Sequence, residues 1–316
     1  MDREQNILEE YFLPLVKNSE SLYLKNDAAY FKNKKLVISS DMMLEDQHFT
    51  RDYDPKIIAK KLLRINLSDI AAMGAVLYGF FLNVAVPKKN INRWLEKFVY
   101  GLREDMYKFN LKLFGGDLSC SSKIFLNVTI LGKTKQYAHI RNFTKSNSDI
   151  YVSGNIGDAP LGFEIKKNLN KFLCSLKTKK KLLNKFYLPE PRLELGSKLL
   201  NKVEFCTDLS DGLLRDLLII ADRSKKQANI FLDKIPISSE LQEILSKNKK
   251  KQIWEIILSG GEDYELLFSL NKKNIKKINN LGNISKIGFF SKGRGVKFFD
   301  CKGNQFLPKN EVFCHF

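Results

Sequence analysis

The decapeptide from Thr207 to Asp216, T-D-L-S-D-G-L-L-R-D, constrains this chain more than any other stretch. A strand-like run, Lys202 to Cys206, leads into it, and an apolar helix face at Leu213, Leu214, Leu217, Leu218 and Ala221 follows directly. The spacing predicts that Asp208 and Asp211 sit on the first turn of that helix, where backbone N–H groups are unpaired and the dipole is positive. Capping a helix needs only one such side chain. Two aspartates, a serine and a glycine at one strand-to-helix junction point to a place where a hydrated divalent cation and a phosphate meet backbone. On this stretch alone both readings stay open.

A chain of 316 residues with 44% hydrophobic content is long enough for two cored domains. Its first ten residues, M-D-R-E-Q-N-I-L-E-E, are acidic where a secretion signal is basic and then apolar, so none is expected. The longest apolar run, Gly74 to Pro87, is interrupted by Asn83 and falls short of the roughly 20 residues of a membrane span. It reads as a buried strand, and no membrane partner is expected. Five widely spaced cysteines without a C-x-x-C pair predict a reducing cytoplasm and no zinc site. With only three histidines, metal chemistry must rest on oxygen ligands.

The balance of 53 basic against 35 acidic residues, +18, raises nucleic-acid binding as a class. The lysine runs Lys177 to Lys181 and Lys247 to Lys251 carry no interleaved aromatics and no nucleic-acid motif. They read as solvated faces whose field draws in polyanionic small substrates, and no nucleic-acid partner is expected.

Taken in order, residues 3 to 17 predict an amphipathic helix. N-D-A-A (Asn26 to Ala29) precedes a strand, Lys35 to Ser39, that ends in S-S-D (Ser39, Ser40, Asp41) and a loop with E-D-Q-H-F (Glu45 to Phe49). Asp54 and Pro55 open a helix as N-cap and first-turn proline. On it Asp69 stands among Leu67, Ile70, Ala71 and Ala72, where a carboxylate is expensive to bury unless paired or bound to a cation. A strand (Leu77 to Val86), a helix (Ile91 to Phe109) and a strand (Leu111 to Phe114) follow, the last running into G-G-D (Gly115, Gly116, Asp117). Two glycines let backbone pass close to a ligand, and the aspartate can hold a metal beside it. A further strand, Ile124 to Leu131, closes the first half.

Composition turns polar from Lys133 to Asp149, which predicts domains of residues 1–137 and 138–316. The second half opens with a strand, Ile150 to Ser153, a glycine turn at Gly154 to Gly157, and lysine-rich helices. The prolines of L-P-E-P-R (Leu188 to Arg192) end one element and start another. After the central stretch come a strand (Asn229 to Leu232), a helix (Ser239 to Lys247), S-G-G-E-D-Y-E-L (Ser259 to Leu266) with its strand to Leu270, and an aromatic tail with Phe313 and Phe316.

N-D-A-A, S-S-D-M-M-L-E-D-Q-H-F, N-L-S-D-I-A-A-M-G-A, G-G-D, L-P-E-P-R, D-L-S-D-G-L and S-G-G-E-D-Y-E-L, in this order over residues 26 to 266, resemble the thiamine-monophosphate kinase family, in the superfamily of aminoimidazole ribonucleotide synthetase. The resemblance implies a two-domain fold: an α/β amino-terminal domain that pairs with its copy in a homodimer, and an α+β carboxy-terminal domain. It implies transfer of the ATP γ-phosphoryl group to the phosphate of thiamine monophosphate, with several magnesium ions. Asp27, Asp41, Asp69, Asp117, Asp208 and Asp211 match its magnesium ligands, with Ser39 and Ser40 assisting. Asp208 and Asp211 are the expected catalytic pair. Gly116, Asp117 and Ser210 match the ATP contacts, and His48, Glu262 and Phe313 the contacts to thiamine.

The inventory suits that chemistry, because phosphoryl transfer between polyphosphates needs charge neutralisation and alignment more than a covalent nucleophile. Two motifs depart from the family pattern. Asn26 stands where the family has a carboxylate, and in the segment Thr144 to Ser148 Lys145 stands for an ATP-contacting arginine. A lysine there supplies charge without a bidentate fork. A selenophosphate synthetase would carry a reactive cysteine near its start, whereas the first here is Cys120. A purine-pathway synthetase shares the aspartates, and a non-catalytic basic binding protein accounts for the charge but not for the acidic loops.

Overall fold

The structure, a computed structural model, describes residues 3–89, 91–135, 137–141, 144, 148–270 and 282–308. It begins with the short helix α1 (Arg3–Ile7). The strands β1 (Ala29–Phe31), β2 (Leu36–Leu44), β3 (Val76–Val86), β4 (Leu113–Cys120) and β5 (Phe125–Lys133) form one sheet in the order β1-β2-β5-β3-β4. Its helices are α2 (Pro55–Ala72) and α3 (Asn92–Lys108); α3 is the crossover that lets β3 and β4 run parallel.

The second sheet contains β6 (Asp149–Ser153), β7 (Val203–Asp208), β8 (Lys226–Phe231), β9 (Leu266–Leu270), β10 (Ile284–Lys292), β11 (Gly295–Phe299) and β12 (Gln305–Phe306), in the order β12-β11-β8-β10-β6-β9-β7. Between its strands lie α4 (Asp158–Lys167), α5 (Leu176–Tyr187), α6 (Leu193–Lys198), α7 (Leu213–Ser224), α8 (Ser239–Lys247) and α9 (Lys250–Ser259).

Helix α2 joins the two halves. Asp54 caps it by accepting from the Lys56 backbone N–H at 3.0 Å, and Pro55 occupies its first turn. It packs on β2 and β5 on one side and on α6 and β7 on the other, so almost every residue is buried. A helix buried all round must partner its polar side chains. Arg64 forks onto Asp105 at 2.6 and 3.1 Å, Lys61 Nζ donates to Glu262 at 2.8 Å, and Ser68 Oγ donates to Asp208 at 2.6 Å. The last two point into the functional site.

The contact with α6 needs a glycine: a Cβ on Gly196 would stand 2.0 Å from the Ala71 carbonyl oxygen. Gly196→Ala should therefore destabilise the fold by about 1–3 kcal/mol, read as a lower denaturation midpoint.

Three local expectations are corrected. Residues 3 to 17 do not make one helix: α1 gives way to a wide turn over Leu8–Phe12 and a tight one over Leu13–Leu15, because Pro14 has no N–H and its ring crowds the preceding turn. Neither S-S-D nor G-G-D is a strand-end loop. The β2–β5 ladder continues through Asp41 opposite Val128, and β4 pairs Gly116 with Leu82 and Asp117 with Asn83. Gly116 (φ 151°) lies so close to β3 that a Cβ would be 1.8 Å from the Leu82 carbonyl oxygen, so packing alone requires it. Finally, Asp208 is the last residue of β7 and Asp211 precedes α7; neither is on the helix's first turn. Gly212, at φ 110°, occupies the cap position, and no side chain caps the helix.

Candidate active site

Asp27 before β1, Asp41 on β2, Asp69 on α2 and Asp208 at the end of β7 converge from four parts of the chain. Asp27, Asp69 and Asp208 each offer a carboxylate oxygen within 4.8 Å of the others. Short hydroxyl bonds hold them in place. Ser39 Oγ donates to Asp69 Oδ2 at 2.5 Å, Ser68 Oγ to Asp208 at 2.6 Å, and Thr207 Oγ1 to Asp27 Oδ1 at 2.9 Å. The Asp41 backbone N–H donates to the buried Asn66 amide oxygen at 3.2 Å.

Burial and mutual repulsion make this set expensive as bare charges. Burial first, then the charges of Asp41, Asp208 and Asp27, push the Asp69 carboxyl well above the ordinary range. Burial and Asp27 push Asp208 up to about 7, opposed by the Ser68 hydrogen bond and by Arg141. Asp27 Oδ2 is buried and has no hydrogen-bond partner among the described residues. Hard oxygen donors with an orphaned carboxylate oxygen fit magnesium. Asp27, Asp69 and Asp208, with Asp41 beside them, are the residues that would hold it.

The arginine that faces the cluster is Arg141, which the sequence reading passed over. Its guanidinium pairs with Asp27 and donates to Thr207 Oγ1 at 2.5 Å. Burial disfavours its charge, but Asp27, Asp216 and Asp208 more than offset that, so its pKa is raised. Its backbone N–H donates to Asn26 Oδ1 at 2.6 Å. Asn26 thus holds the Arg141 loop, a task an amide oxygen performs as well as a carboxylate. Asp216, also passed over, lies buried on α7, with one carboxylate oxygen lacking a partner among the described residues. Both face partners distant in sequence, Asp27 for Arg141 and Arg141 for Asp216, which the local pattern does not show.

A cleft of about 1510 Å³ opens from this cluster and is lined by Asp41, His48, Asp69, Ser210, Asp211, Glu262 and Tyr264. His48 Nδ1 accepts the Leu44 backbone N–H at 3.1 Å, which makes Nε2 the protonated nitrogen of the neutral ring. Glu262 has a left-handed backbone (φ 71°), fixed where its N–H donates to the Ser210 carbonyl at 2.8 Å. Its carboxylate is gripped by Lys61, a buried lysine whose Nζ also lies 3.7 Å from the Phe186 ring centroid. Lys61 was missed because a helix reads as amphipathic until its partners are known.

Asp117 falls elsewhere, whereas Ser40 borders the cleft beside Asp41. The rows Asp41–Val128–Leu82–Gly116 and Met42–Asn127–Asn83–Asp117 are adjacent across the sheet, so Asp41 and Asp117 point to opposite faces. Asp117 is exposed on the edge strand β4, about 14 Å from β2 at three strand spacings. Ser40 shares its face, bonding Thr129 at 2.9 Å and Asn127 at 3.2 Å. Lys145 and Phe313 lie outside the described residues.

Comparison with known proteins follows the same outline. Residues 25–134 match the AIR synthase related protein N-terminal domain, and residues 147–298 match its C-terminal domain. Thiamine-monophosphate kinases of Buchnera aphidicola are 37% identical over 78% of this chain and 75% of the relative, and 35% identical over 90% and 88%. The kinase of Aquifex aeolicus is 29% identical over 93% of each. Among solved structures, AaThiL complexed with AMPPCP and TMP superposes over 98% of both chains, with a TM-score of 0.84 and 26% identity. Hydrogenase maturation protein HypE in complex with ATP, at 16% identity and a TM-score of 0.68, shares the fold.

Proposed function

The chain belongs to the AIR synthase related family and, within it, to the thiamine-monophosphate kinases, which phosphorylate thiamine monophosphate with ATP, and we propose that it does so by direct in-line transfer at the aspartate cluster. The observation that carries this reading is the convergence of Asp27, Asp69 and Asp208 within 4.8 Å at the head of a cleft large enough for both substrates.

When bound there, magnesium supplies charge neutralisation for the phosphates of both substrates. Asp27, Asp41, Asp69, Asp208 and Asp211 would hold it, and Ser39 orients Asp69. Ser210 and Asp211, at the tight strand-to-helix turn, line the cleft where polyphosphate lies. Arg141 steadies Asp27 and Thr207 and keeps a fixed positive charge against the carboxylate cluster. His48 and Glu262 face the acceptor, Glu262 held by Lys61. The attacking oxygen belongs to a phosphate monoester, whose second pKa is about 6, so it needs no dedicated general base.

We further place the reaction in the cytoplasm and take residues 1–137 and 138–316 as the two domains. The outer face of the first sheet supports a homodimer: Met42, Tyr78, Phe81, Phe114 and Phe125 are exposed large apolar side chains of its strands. A second copy seated there would cover them. It would also bring its Gly116 and Asp117 toward the nucleotide of the first chain, with Ser40 facing the same junction. Among the described residues no helix is long and apolar enough to cross a membrane.

The test is a mixture of purified protein, ATP and thiamine monophosphate, analysed for thiamine diphosphate. Product should form with magnesium and fall to background in excess chelator, with no phosphorylated enzyme on the path. Undiminished turnover in chelator would remove the metal role, and a phosphoenzyme formed at a competent rate would remove direct transfer.

A further inference from the structure

Within the cleft, the lining face of α9 carries two polar groups that the phosphate chemistry does not use. Glu255 and Ser259 both border the cleft and stand four residues apart, on one face of the helix. Glu255 Oε1 and Ser259 Oγ are buried, and neither has a hydrogen-bond partner among the described residues. Leaving a buried carboxylate oxygen unpaired is costly. Three of the cleft lysines are committed elsewhere: Lys167 and Lys171 to Glu164, Lys247 to Glu243.

From this we propose that Glu255, with Ser259 beside it, is the specificity-determining contact for the amino-substituted heteroaromatic ring of the acceptor, an assignment that rests on the thiamine-monophosphate reading. The geometry follows from α9 itself. Its end runs into Gly260 and Gly261, and Gly261 is packed on Ser210 and Asp211 so closely that a Cβ would stand 2.2 Å from the Ser210 carbonyl oxygen. The phosphate end of the cleft is therefore fixed at Asp211. Glu255 lies about 6 Å further along the helix axis than Ser259, at 1.5 Å per residue. Thiamine monophosphate has the matching polarity. Its phosphate is at one end, and its aminopyrimidine is at the other, beyond an ethyl arm, a cationic thiazolium and a methylene bridge. An exocyclic amino group donates to the Glu255 carboxylate, a ring nitrogen accepts from the Ser259 hydroxyl, and the negative charge favours the cationic acceptor over neutral phosphate esters.

Glu255→Gln keeps size and shape but exchanges an acceptor for a donor. Two acceptors should be compared: thiamine monophosphate and the analogue with an oxo group in place of the pyrimidine amino group. The wild-type chain should prefer the amino form. In the variant, KM for thiamine monophosphate should rise about tenfold to a hundredfold while KM for ATP and the melting temperature hold, and the preference for amino over oxo should collapse. An unchanged KM for thiamine monophosphate, or equal weakening of both acceptors, would overturn the assignment. If the variant does not fold, the wild-type rates decide: equal use of the two acceptors overturns it, and discrimination against the oxo form upholds it. A wild-type chain inactive with thiamine monophosphate and ATP would instead overturn the kinase reading on which the assignment rests.

Discussion

Asp208→Asn and Asp211→Asn should each lower phosphoryl transfer by at least about a thousandfold, and the Asp208 change should raise the melting temperature of the metal-free protein. Asp208 is buried beside Asp27 and near Asp41, so asparagine removes a ligand from the centre of the cluster and relieves repulsion at the same time. Its carboxyl is pushed up from 3.8 to about 7 in the folded state. Between those values the folded protein holds a proton that the unfolded chain has lost, so stability falls as pH rises and the full penalty applies above pH 7. At pH 8 the asparagine variant should gain on the order of 2–4 kcal/mol, several degrees in melting temperature, and the gain should shrink toward pH 4. Activity close to wild type in both variants would exclude them from the site. A melting temperature that drops at pH 8 would contradict the electrostatic account of Asp208.

Mixing two inactive variants should restore activity. Asp117 and Asp41 point to opposite faces of one sheet, on strands three spacings apart, so Asp117 cannot join the cluster of its own chain. If it serves the nucleotide of the partner, Asp117→Ala and Asp208→Asn homodimers are each defective, but a mixed dimer holds one intact site. One of the two sites in each mixed dimer is intact, so the mixed species should recover roughly half of wild-type activity. Co-expressed, differently tagged chains purified as the mixed species give the measurement. Absence of any recovery in a verified mixed dimer would place Asp117 outside the shared site, and a wild-type chain that stays monomeric at assay concentrations would remove the premise.

Much of the architecture is written locally in the chain. Asp54 and Pro55 announce α2 through cap chemistry, and the apolar period after Gly212 announces α7. The span of α8, Ser239–Lys247, coincides with its reading from sequence. These signals act within a turn or two of backbone, and so survive without knowledge of the rest of the fold. Asp27, Asp41, Asp69 and Asp208 were likewise legible as candidates, because carboxylates in apolar or glycine-bounded settings are costly without a partner or a cation. What the chain could not reveal is which of its acids meet. Ladder pairing carries β2 and β4 straight through S-S-D and G-G-D, and side-chain alternation then sends Asp117 to the face opposite Asp41. The same long-range packing brings Arg141 against Asp27, 114 residues away, and Lys61 against Glu262, 201 residues away. It also turns Asn26, read as a lost carboxylate, into the acceptor that holds the Arg141 loop. Local propensity selects strands, helices and caps; electrostatic partnership depends on distance in space, and only the packing of α2 between the two sheets determines that.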